Sequence, residues 1–498
     1  MNIANAISYH GRARPEHPAL IEGDRVISYA MLDREVEATA QKLAAAGVRR
    51  GDRIGLCLKE RPEFLVALFA VARRWAIVVA VDWRAPDLER RRISEALGLK
   101  LMICEPGAAG SLACAIEWPT LQDLAPAGDA AEPAFTESDA PFLIALSSGT
   151  TGKPKGFVIS HCAQFLRMTR LHIDLQYGYG IRYFSATPLV HASGRNKCID
   201  CLVHGGTVIL YPPLYRPEEL VEAVARFQGT HLYLVPTVLR RLLELASAER
   251  PLFAGAPHLT LGAGPTTPDE RFATLQRLSP NTHVSYGAAA YMTIASLGPE
   301  DIRAKTVGVG RPTFMTEVEV VDESGLPLPR DREGILRCRG PGNCSEVIGL
   351  DSTADQTEML HDGWYYPGDI GRISPEGIIQ LVGRTANRIK RAGVSIVAEE
   401  VERILCQHPG VAEAAVVGRP SRELGQDVVA FVILRVETSP DALLAHCRRN
   451  LAGFKVPSKL HIVQSFPRSA VGKVVKRALL EKVIPPDALA GQPVDEYR

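Results

Sequence analysis

The chain has 498 residues, of which 46% are hydrophobic and 23% are charged, and its formal net charge at pH 7 is +1. A chain of this length exceeds one ordinary core, so we expect two or more domains. The composition excludes intrinsic disorder, and the near-neutral charge gives no electrostatic reason to expect nucleic acid or an acidic membrane as a partner.

The N-terminal residues, MNIANAISYHGRARPEHP, carry charges and no apolar core, which is unlike a secretory signal. The most apolar stretch, residues 64–81, has Arg73 and Arg74 at its centre, where charges are costly in lipid. We therefore predict a helix and a buried strand there, no membrane association, and a cytoplasmic location.

Ten cysteines are scattered along the chain without the spacing of a disulfide framework, which fits a reducing compartment. Cys198, Cys201 and His204 form a C-x2-C-x2-H pattern, but no second pair follows at zinc-site spacing. The sequence therefore predicts buried thiols at these positions.

Short apolar runs typical of strands alternate with helical patterns through the first 300 residues or so. A helix is predicted over residues 31–47. Strands are predicted at 53–58, 76–81, 100–104, 141–146, 207–210 and 231–236. Such alternation predicts α/β layers around a mainly parallel sheet.

The pattern changes after about residue 305 to short strands separated by turns, as in EVEVVDESGLPL, GILRCRG and GIIQLVGR. From residue 388 a mixed α+β pattern returns, and a polar stretch at 383–390 separates the two parts. We therefore predict a large α/β domain over residues 1–384, with a β-rich subdomain at about 305–384, and a small mobile α+β lid domain over 385–498.

The segment SSGTTGKPKG, residues 147–156, follows a predicted buried strand. Its spacing does not match a Walker A loop. Its glycines nevertheless let backbone N–H groups point inward, while Thr150 and Thr151 add hydroxyls and Lys153 and Lys155 add positive charge. These ingredients predict a nest for an anion such as phosphate.

Seven further segments follow this loop in a definite order: ATPLVHASG (186–194), LGAGPTTP (261–268), SYGAAA (285–290), VGVGRP (307–312), WYYPGDIG (364–371), GRTANRIKRAG (383–393) and PRSAVGKVVKRAL (467–479). Together with the loop they resemble the ordered motifs of the adenylate-forming superfamily. That superfamily contains acyl-CoA and aryl-CoA synthetases, luciferases and the adenylation domains of peptide synthetases. The resemblance covers nearly the whole chain.

The resemblance implies an ATP site assembled from several of these segments. It places the β- and γ-phosphates against Ser148, Gly149, Thr150, Thr151, Gly152, Lys153 and Lys155. It places the adenine beside Gly262, Ala263, Gly264, Tyr286 and Gly287. An ionised Asp369 would accept hydrogen bonds from both ribose hydroxyls, and Arg384 would assist at the ribose and phosphate.

Two catalytic residues are implied by the same resemblance. Lys473 would bring its ammonium to the acid and the bridging phosphate oxygen, which offsets the repulsion between two anions. His191 would stand near the carboxylate in the acyl pocket. The C-terminal domain would turn about residues 384–388 between two half-reactions, withdrawing Lys473 before a second substrate attacks.

This chain departs from the family pattern after the Tyr-Gly pair, where Ala288, Ala289 and Ala290 replace the usual variable residue, threonine and magnesium-binding glutamate. Magnesium on ATP can keep several waters and needs only one or two protein carboxylates. The protein residues that would hold Mg²⁺ therefore stay unknown. Milder departures are Pro367, Ala386, Asn387 and Ala398.

The leading prediction is an ATP-dependent ligase that joins a small-molecule carboxylic acid to a thiol, with coenzyme A as the second substrate. The alternatives are an acid–amine ligase that uses the same adenylate, and a catalytically weakened nucleotide-binding homologue. Intact Lys473, Asp369 and Arg384 argue against the last of these. Apolar, small-residue pocket segments favour a compact aromatic, alicyclic or medium-length acid, and the protein is expected to be a monomer or homodimer.

Overall fold

The computed structural model describes residues 2–110, 112–126, 139–147, 155–175, 178–213, 215–247, 249–349, 359–392, 394–421, 423–468 and 474–481. These residues form two compact units. The first contains residues up to 318 together with 338–365, and the second contains 319–337 together with the residues from 366 onward. The domain boundaries near residues 305 and 384 stay predictions.

The described residues form helices in both units. They are α1 Asn5–Ala13, α2 Tyr29–Ala45, α3 Pro62–Arg73, α4 Asp87–Leu97, α5 Trp118–Asp123, α6 His161–Leu175, α7 Ala192–Val203, α8 Pro217–Arg226, α9 Pro236–Leu245, α10 Pro268–Arg277, α11 Pro299–Arg303, α12 Ala398–Cys406, α13 Pro440–Asn450 and α14 Lys476–Glu481. Several start on proline, whose fixed φ and missing N–H suit the first helical turn. Within the described residues, none of the helices has the length and apolarity needed to cross a membrane.

A nine-stranded sheet dominates the first unit. Its strands, in spatial order, are β15 Arg311–Pro312, β14 Met292–Leu297, β13 Thr282–Ala288, β12 His258–Leu261, β11 His231–Leu234, β9 Arg182–Ser185, β10 Thr207–Leu210, β1 Pro18–Glu22 and β2 Arg25–Ser28. The six strands from β13 to β1 run parallel, and antiparallel strands close both edges. Buried leucines of β11 and β12 share a core with α8 and α9.

A seven-stranded sheet completes the layers of the first unit. Its strands, in spatial order, are β18 Glu346–Gly349, β8 Lys155–Ser160, β7 Pro141–Ser147, β4 Ile77–Ala80, β3 Arg53–Cys57, β5 Leu101–Cys104 and β6 Ala115–Glu117. The five strands from β7 to β6 are parallel. These two sheets confirm the predicted α/β class with mainly parallel sheet. Two short strands, β19 Leu360–His361 and β20 Trp364–Tyr365, also belong to this unit.

The second unit contains mostly antiparallel strands and the helices α12, α13 and α14. Strand β17 (Gly334–Arg339) pairs through Gly334 with β21 (Asp369–Ile373), which pairs with β22 (Ile379–Arg384), and β16 (Glu317–Val321) joins β17. A five-stranded sheet contains β23 Arg388–Arg391, β24 Val394–Val397, β25 Val411–Ser421, β26 Gly425–Leu434 and β27 Lys459–Ile462, and its β26–β27 pair is parallel. Its buried face packs against α12 and α13 around Val401, Leu405 and Leu443.

Candidate active site

The glycine-rich loop is framed by a β-hairpin. Strand β7 ends at Ser147 and β8 begins at Lys155, and these two residues are paired across the hairpin. Ser148, Gly149, Thr150, Thr151, Gly152 and Lys153 lie outside the described residues. Because β7 is parallel to β4, the loop leaves the sheet at the carboxyl edge of its parallel strands, where α/β sheets place their ligands. Lys155 has its ammonium 3.6 Å from the Met359 sulfur.

The same edge of this sheet carries charged residues that the sequence analysis did not single out. Asp82 and Arg84 follow β4, and the guanidinium donates from Nε and Nη2 to the two carboxylate oxygens, each at 2.9 Å. Burial raises the pKa of Asp82, but the hydrogen bonds and charge of Arg84 outweigh burial and hold the pKa below its ordinary value. The signal in the sequence was an acidic and a basic residue directly after a buried strand.

His191 lies immediately before α7 and shares its surroundings with Asp82 and Arg84. Burial lowers the pKa of His191, the carboxylate of Asp82 acts in the opposite direction, and the guanidiniums of Arg84 and Arg195 add to the lowering. The imidazole is therefore neutral at pH 7. The turn before α7 is fixed by Arg195, which donates to the carbonyls of Val190 at 2.7 Å and Leu189 at 3.2 Å.

The predicted adenine turn lies at the carboxyl edge of the nine-stranded sheet. Leu261, the last residue of β12, pairs with Val284 of β13, so Gly262 leaves β12 beside the part of β13 that continues to Tyr286. A Cβ at Gly262 would lie 2.2 Å from the Tyr233 hydroxyl oxygen, so a glycine is required there. Ala263 has φ +63°, a left-handed conformation that a non-glycine residue rarely adopts.

The Tyr-Gly pair stands where β13 turns into β14. Tyr286 is buried at 9% exposure, while a Cβ at Gly287 would lie 1.6 Å from the Met292 carbonyl oxygen. The pairing register shifts between these two residues, which bends the strand. The parallel register places Gly262 beside Ser285, the residue before Tyr286, although the two segments are some twenty residues apart in sequence.

The hairpin that follows offers no carboxylate for magnesium. Ala289 is half-buried, Ala290 is fully buried, and the Ala290 carbonyl accepts a hydrogen bond from the Arg167 guanidinium. Asp301, a possible substitute, is paired with Arg311 at 2.9 Å. Across the described ranges, no group of three or more His, Cys, Asp or Glu side chains is placed to hold a metal ion. The alanine side chains that follow the Tyr-Gly pair cannot themselves bind Mg²⁺.

The predicted ribose residues meet in the second unit. Asp369 begins β21 and Arg384 ends β22, and the antiparallel register pairs them directly. Arg384 Nε lies 2.6 Å from Asp369 Oδ1, and the guanidinium also donates to the Pro367 carbonyl at 3.1 Å. The Asp369 side chain is 5% exposed and that of Arg384 is 39% exposed, so a buried carboxylate is paired with a partly exposed guanidinium.

The surroundings of the predicted catalytic lysine are described although Lys473 itself is not. Arg468 forms an isolated antiparallel bridge with Val474, and the Val475 N–H donates to the Pro467 carbonyl at 2.8 Å. The residues on the two sides of the 469–473 segment are therefore paired with each other. The predicted hinge contains a 3-10 turn, Thr385–Asn387, between β22 and β23.

The C-x2-C-x2-H pattern lies on α7 and at its C-terminal end. Cys198 and Cys201 are buried on α7, and the Cys198 thiol lies 3.3 Å from the Ser185 hydroxyl. His204 contacts the Asp200 carbonyl at 2.8 Å and stacks on His172. Cys198 and Cys201 are buried residues of α7 and His204 is its C-cap, so the predicted buried thiols are confirmed.

Comparison with known proteins identifies the class. Residues 7–346 match the AMP-binding enzyme family, and residues 400–473 match the AMP-binding enzyme C-terminal domain. The chain therefore belongs to the AMP-binding enzyme family, and the resemblance to the adenylate-forming superfamily is confirmed.

Particular relatives cover nearly all of the chain. It is 29% identical to a feruloyl-CoA synthase of an Amycolatopsis species, over 93% of this chain and 96% of the relative. It is 28% identical to the 2-succinylbenzoate–CoA ligase of Bacillus licheniformis, over 96% and 100%. The o-succinylbenzoate–CoA synthetase of Bacillus subtilis, solved with its acyl-adenylate, superposes with a TM-score of 0.86 at 26% identity, over 95% and 97%. The same enzyme has been solved with ATP and a magnesium ion.

Proposed function

We propose that this protein is an AMP-forming acid–thiol ligase, which activates a carboxylic acid with ATP and transfers the acyl group to coenzyme A. The observation that carries the proposal is the extent of the similarity. Relatives named as CoA ligases match more than nine-tenths of this chain and of their own length, so the segments of both half-reactions are shared.

The first half-reaction joins a carboxylate oxygen of the acid to the α-phosphorus of ATP and breaks that phosphorus's bond to the oxygen that leaves with pyrophosphate. The loop at 148–155 is proposed to bind the leaving phosphates. The Asp369 carboxylate is proposed to accept from the ribose hydroxyls, and its pairing with Arg384 at 2.6 Å supports a fixed orientation. Magnesium is proposed to be bound by the phosphates of ATP, and water can fill most of its remaining coordination positions.

The substrate carboxylate and the α-phosphate of ATP are both anions, so their repulsion contributes to the barrier of adenylation. We propose that Lys473 lowers this barrier. An ammonium donor already in place where charge develops costs no reorganisation during the reaction. His191 is proposed to donate its imidazole N–H to the acid. Its lowered pKa supports this role, since a neutral ring can donate one hydrogen bond and accept another without adding its own buried charge to that of the acid.

The second half-reaction is attack of the coenzyme A sulfur on the acyl carbonyl, with loss of the thiol proton to solvent and departure of AMP. The lid domain, residues 385–498, is proposed to turn about 384–388 between the two steps. The acid is proposed to be a compact aromatic one, and the names of the feruloyl and 2-succinylbenzoate relatives support that choice. Ten free cysteines support a cytoplasmic location, and a monomer or homodimer is proposed.

A pyrophosphate-release screen tests the function. Purified protein is given aromatic, alicyclic and fatty acids, each without a nucleophile, with coenzyme A, and with mixed amino acids. We expect release with a set of aromatic acids and a thioester mass with coenzyme A. Amide masses would favour an acid–amine ligase, and ATP binding without release would favour a nucleotide-binding homologue.

The Lys473→Ala variant is the second arm of this test. We expect acid-dependent release to fall by about 100-fold to 1,000-fold, the typical loss of one preorganised donor. Lys459→Ala, at an exposed lysine that begins β27, is the matched control and should retain full activity. Near-normal turnover of Lys473→Ala would remove the lysine from the mechanism.

A further inference from the structure

Helix α7 is buried along most of its length, yet one of its faces is polar. Every residue from Gly194 to Val203 is buried. The polar residues follow the i, i+3, i+4, i+7 spacing of one helix face. They are Ser193, Asn196, Lys197 and Asp200, and we call them the polar stripe. Asn196 and Lys197 are each 4% exposed and Asp200 is fully buried, where a helix ordinarily presents apolar side chains.

The polar stripe contains acceptor atoms that receive no hydrogen bond from the part of the chain that the structure describes. They are both carboxylate oxygens of Asp200 and Oδ1 of Asn196. Asn196 and Asp200 are four residues apart, so their side chains are neighbours on the helix surface. Buried acceptors are almost always satisfied in folded proteins, because leaving one without a donor is unfavourable. The unmet acceptors therefore indicate a ligand that donates hydrogen bonds.

The charges within the stripe compensate each other. Lys197 and Asp200 are three residues apart, and each acts electrostatically on the other. Burial raises the pKa of Asp200, and the charges of Lys197 and Arg167 act against that rise. Arg167 itself donates to the carbonyls of Ala290 and Gly342. A further ammonium or carboxylate at the Lys197–Asp200 pair would leave one buried charge uncompensated, so the pair favours a neutral donor such as a hydroxyl group.

Helix α7 packs on the face of the nine-stranded sheet that also carries Tyr233. The Cys198 thiol contacts the Ser185 hydroxyl of β9 at 3.3 Å. Side chains alternate along a strand, so Ser185 shares its sheet face with Tyr183, which pairs with His231 of β11. The same alternation puts His231 and Tyr233 on one face, whereas Leu232 and Leu234 pack against α8 and α9 on the other.

This sheet face leads from the polar stripe to the predicted adenine turn. The charge of Lys197 acts on His231 and His258, the first residues of β11 and β12. Tyr233 lies two residues after His231, about 7 Å further along the strand. Its hydroxyl oxygen is the atom that a Cβ at Gly262 would meet at 2.2 Å. The stripe and the adenine turn therefore lie at two ends of one sheet face.

The stripe begins at the carboxyl edge of the sheet, where the nucleotide is predicted to bind. Helix α7 joins the neighbouring parallel strands β9 and β10, so it starts at the carboxyl edge beside His191 and runs back to the amino edge. Along this path Ser193 and Asp200 are about 10 Å apart. An aromatic acid with its carboxylate beside His191 can therefore bring a group on the far side of its ring to Asp200.

We propose that Asp200 and Asn196 form the far end of the acid-binding site and select a carboxylic acid that carries a hydroxyl group opposite its carboxylate. This inference rests on the proposed function and narrows the acid to a hydroxylated aromatic one. The hydroxyl group donates to the Asp200 carboxylate and accepts from the Lys197 ammonium. An acid without the hydroxyl group leaves the carboxylate without a donor, so it is a poorer substrate.

Matched acids that differ in one hydroxyl group test this inference in the wild-type protein. Acid-dependent pyrophosphate release is measured with benzoate and 4-hydroxybenzoate, and with cinnamate and 4-hydroxycinnamate. In at least one pair we expect the hydroxylated acid to have a kcat/KM about 10-fold to 100-fold higher, the scale of one hydrogen bond to a charged group. Its methyl ether should lose this advantage, because it has no hydrogen to donate. Equal values within both pairs, or a preference for the methyl ether or for a dicarboxylic acid, would overturn the inference.

Variants of α7 assign the preference to particular side chains. Asp200→Asn should lower the preference for the hydroxylated acid by about 10-fold, because the charged acceptor is lost. The double variant Lys197→Met/Asp200→Leu should reverse the preference in favour of the acid without the hydroxyl group. Cys198→Ala is the matched control, since Cys198 is equally buried on the same helix but contacts β9, and it should keep the wild-type preference. An unchanged preference in both Asp200 variants would remove Asp200 from the site. If those variants do not fold, as judged by circular dichroism, the matched acids in the wild type decide.

A binding measurement distinguishes this inference from the proposed function. Calorimetry uses stable adenylate mimics, in which a sulfamate joins adenosine to the hydroxylated acid or to its partner without the hydroxyl group. We expect the hydroxylated mimic to bind about 10-fold to 100-fold more tightly, and equal affinities would overturn the inference. Pyrophosphate release with apolar acids alone would overturn it and leave the ligase function intact. Absence of release with every acid would overturn the ligase function, and the pair of mimics would still decide whether the polar stripe recognises a hydroxyl group.

Discussion

Three stacked histidines at the start of adjacent parallel strands should make the first unit sensitive to acid. His231 begins β11, His258 begins β12 and His283 lies near the start of β13, with ring centroids 5.0 Å and 4.1 Å apart. Burial lowers the pKa of His231 to about 4, that of His258 to about 2 and that of His283 to about 4. The charges of the neighbouring histidines and of Lys197 lower the pKa of His258 further.

The size of the effect follows from proton linkage. A histidine whose folded pKa lies below its unfolded value of 6.5 binds more protons when unfolded, so its contribution to the free energy of unfolding is lost as the pH falls below about 6.5. At pH 5 the unfolded His258 is almost fully protonated and the folded one is neutral, which costs about 2 kcal/mol. The three rings together cost up to about 6 kcal/mol, a large part of the net stability of an ordinary domain.

The variant His258→Phe keeps an aromatic ring between its neighbours and removes the titrating group. Urea unfolding followed by circular dichroism at pH 7 and pH 5 should show the wild type losing about 2 kcal/mol more than the variant over this range. The exposed His361, replaced by Phe, is the control and should follow the wild type. Equal losses in the wild type and His258→Phe would refute the assignment of acid sensitivity to this stack.

Two further predictions concern the nucleotide site. Gly262→Ala should destabilise the protein by about 1–3 kcal/mol and raise the KM for ATP, because the added Cβ meets the Tyr233 hydroxyl oxygen at 2.2 Å. Adding Tyr233→Phe should restore part of the loss in thermal melts and ATP titrations, and no restoration would argue against this contact. Asp369→Ala should weaken ATP binding by about 100-fold or more through two lost hydrogen bonds to a charged group, whereas unchanged binding by calorimetry would exclude the ribose role.

Local patterns predicted most of the elements well, because they depend on neighbours in sequence. The helix expected over 31–47 is found at Tyr29–Ala45, and it starts earlier because the Ser28 side chain accepts from the Met31 N–H and caps it. The strand expected over 231–236 ends at Leu234, since Pro236 begins α9. Hydrophobic periodicity identifies the central, buried part of an element, whereas capping residues and prolines decide where it begins and ends.

Contacts between segments that are distant in sequence could not be predicted from local patterns. The pairing of Asp369 with Arg384 depends on the register of two strands, which no single segment encodes, and only the resemblance to a family placed both at the ribose. The Asp82–Arg84 pair and the buried side chains of Asn196, Lys197 and Asp200 on α7 lie outside the family motifs and were not anticipated. Their roles depend on which strand ends and helix faces meet, and that is decided by tertiary packing.

The structure has a well-packed alanine, Ala290, at the position where the family pattern has a glutamate. Ala290 is fully buried, and its carbonyl accepts from Arg167, which also donates to the Gly342 carbonyl at 2.5 Å. A Cβ at Gly342 would lie 2.7 Å from Arg167 Cγ, so the arginine and the glycine fit each other. A glutamate at position 290 would therefore enter a buried site beside a guanidinium.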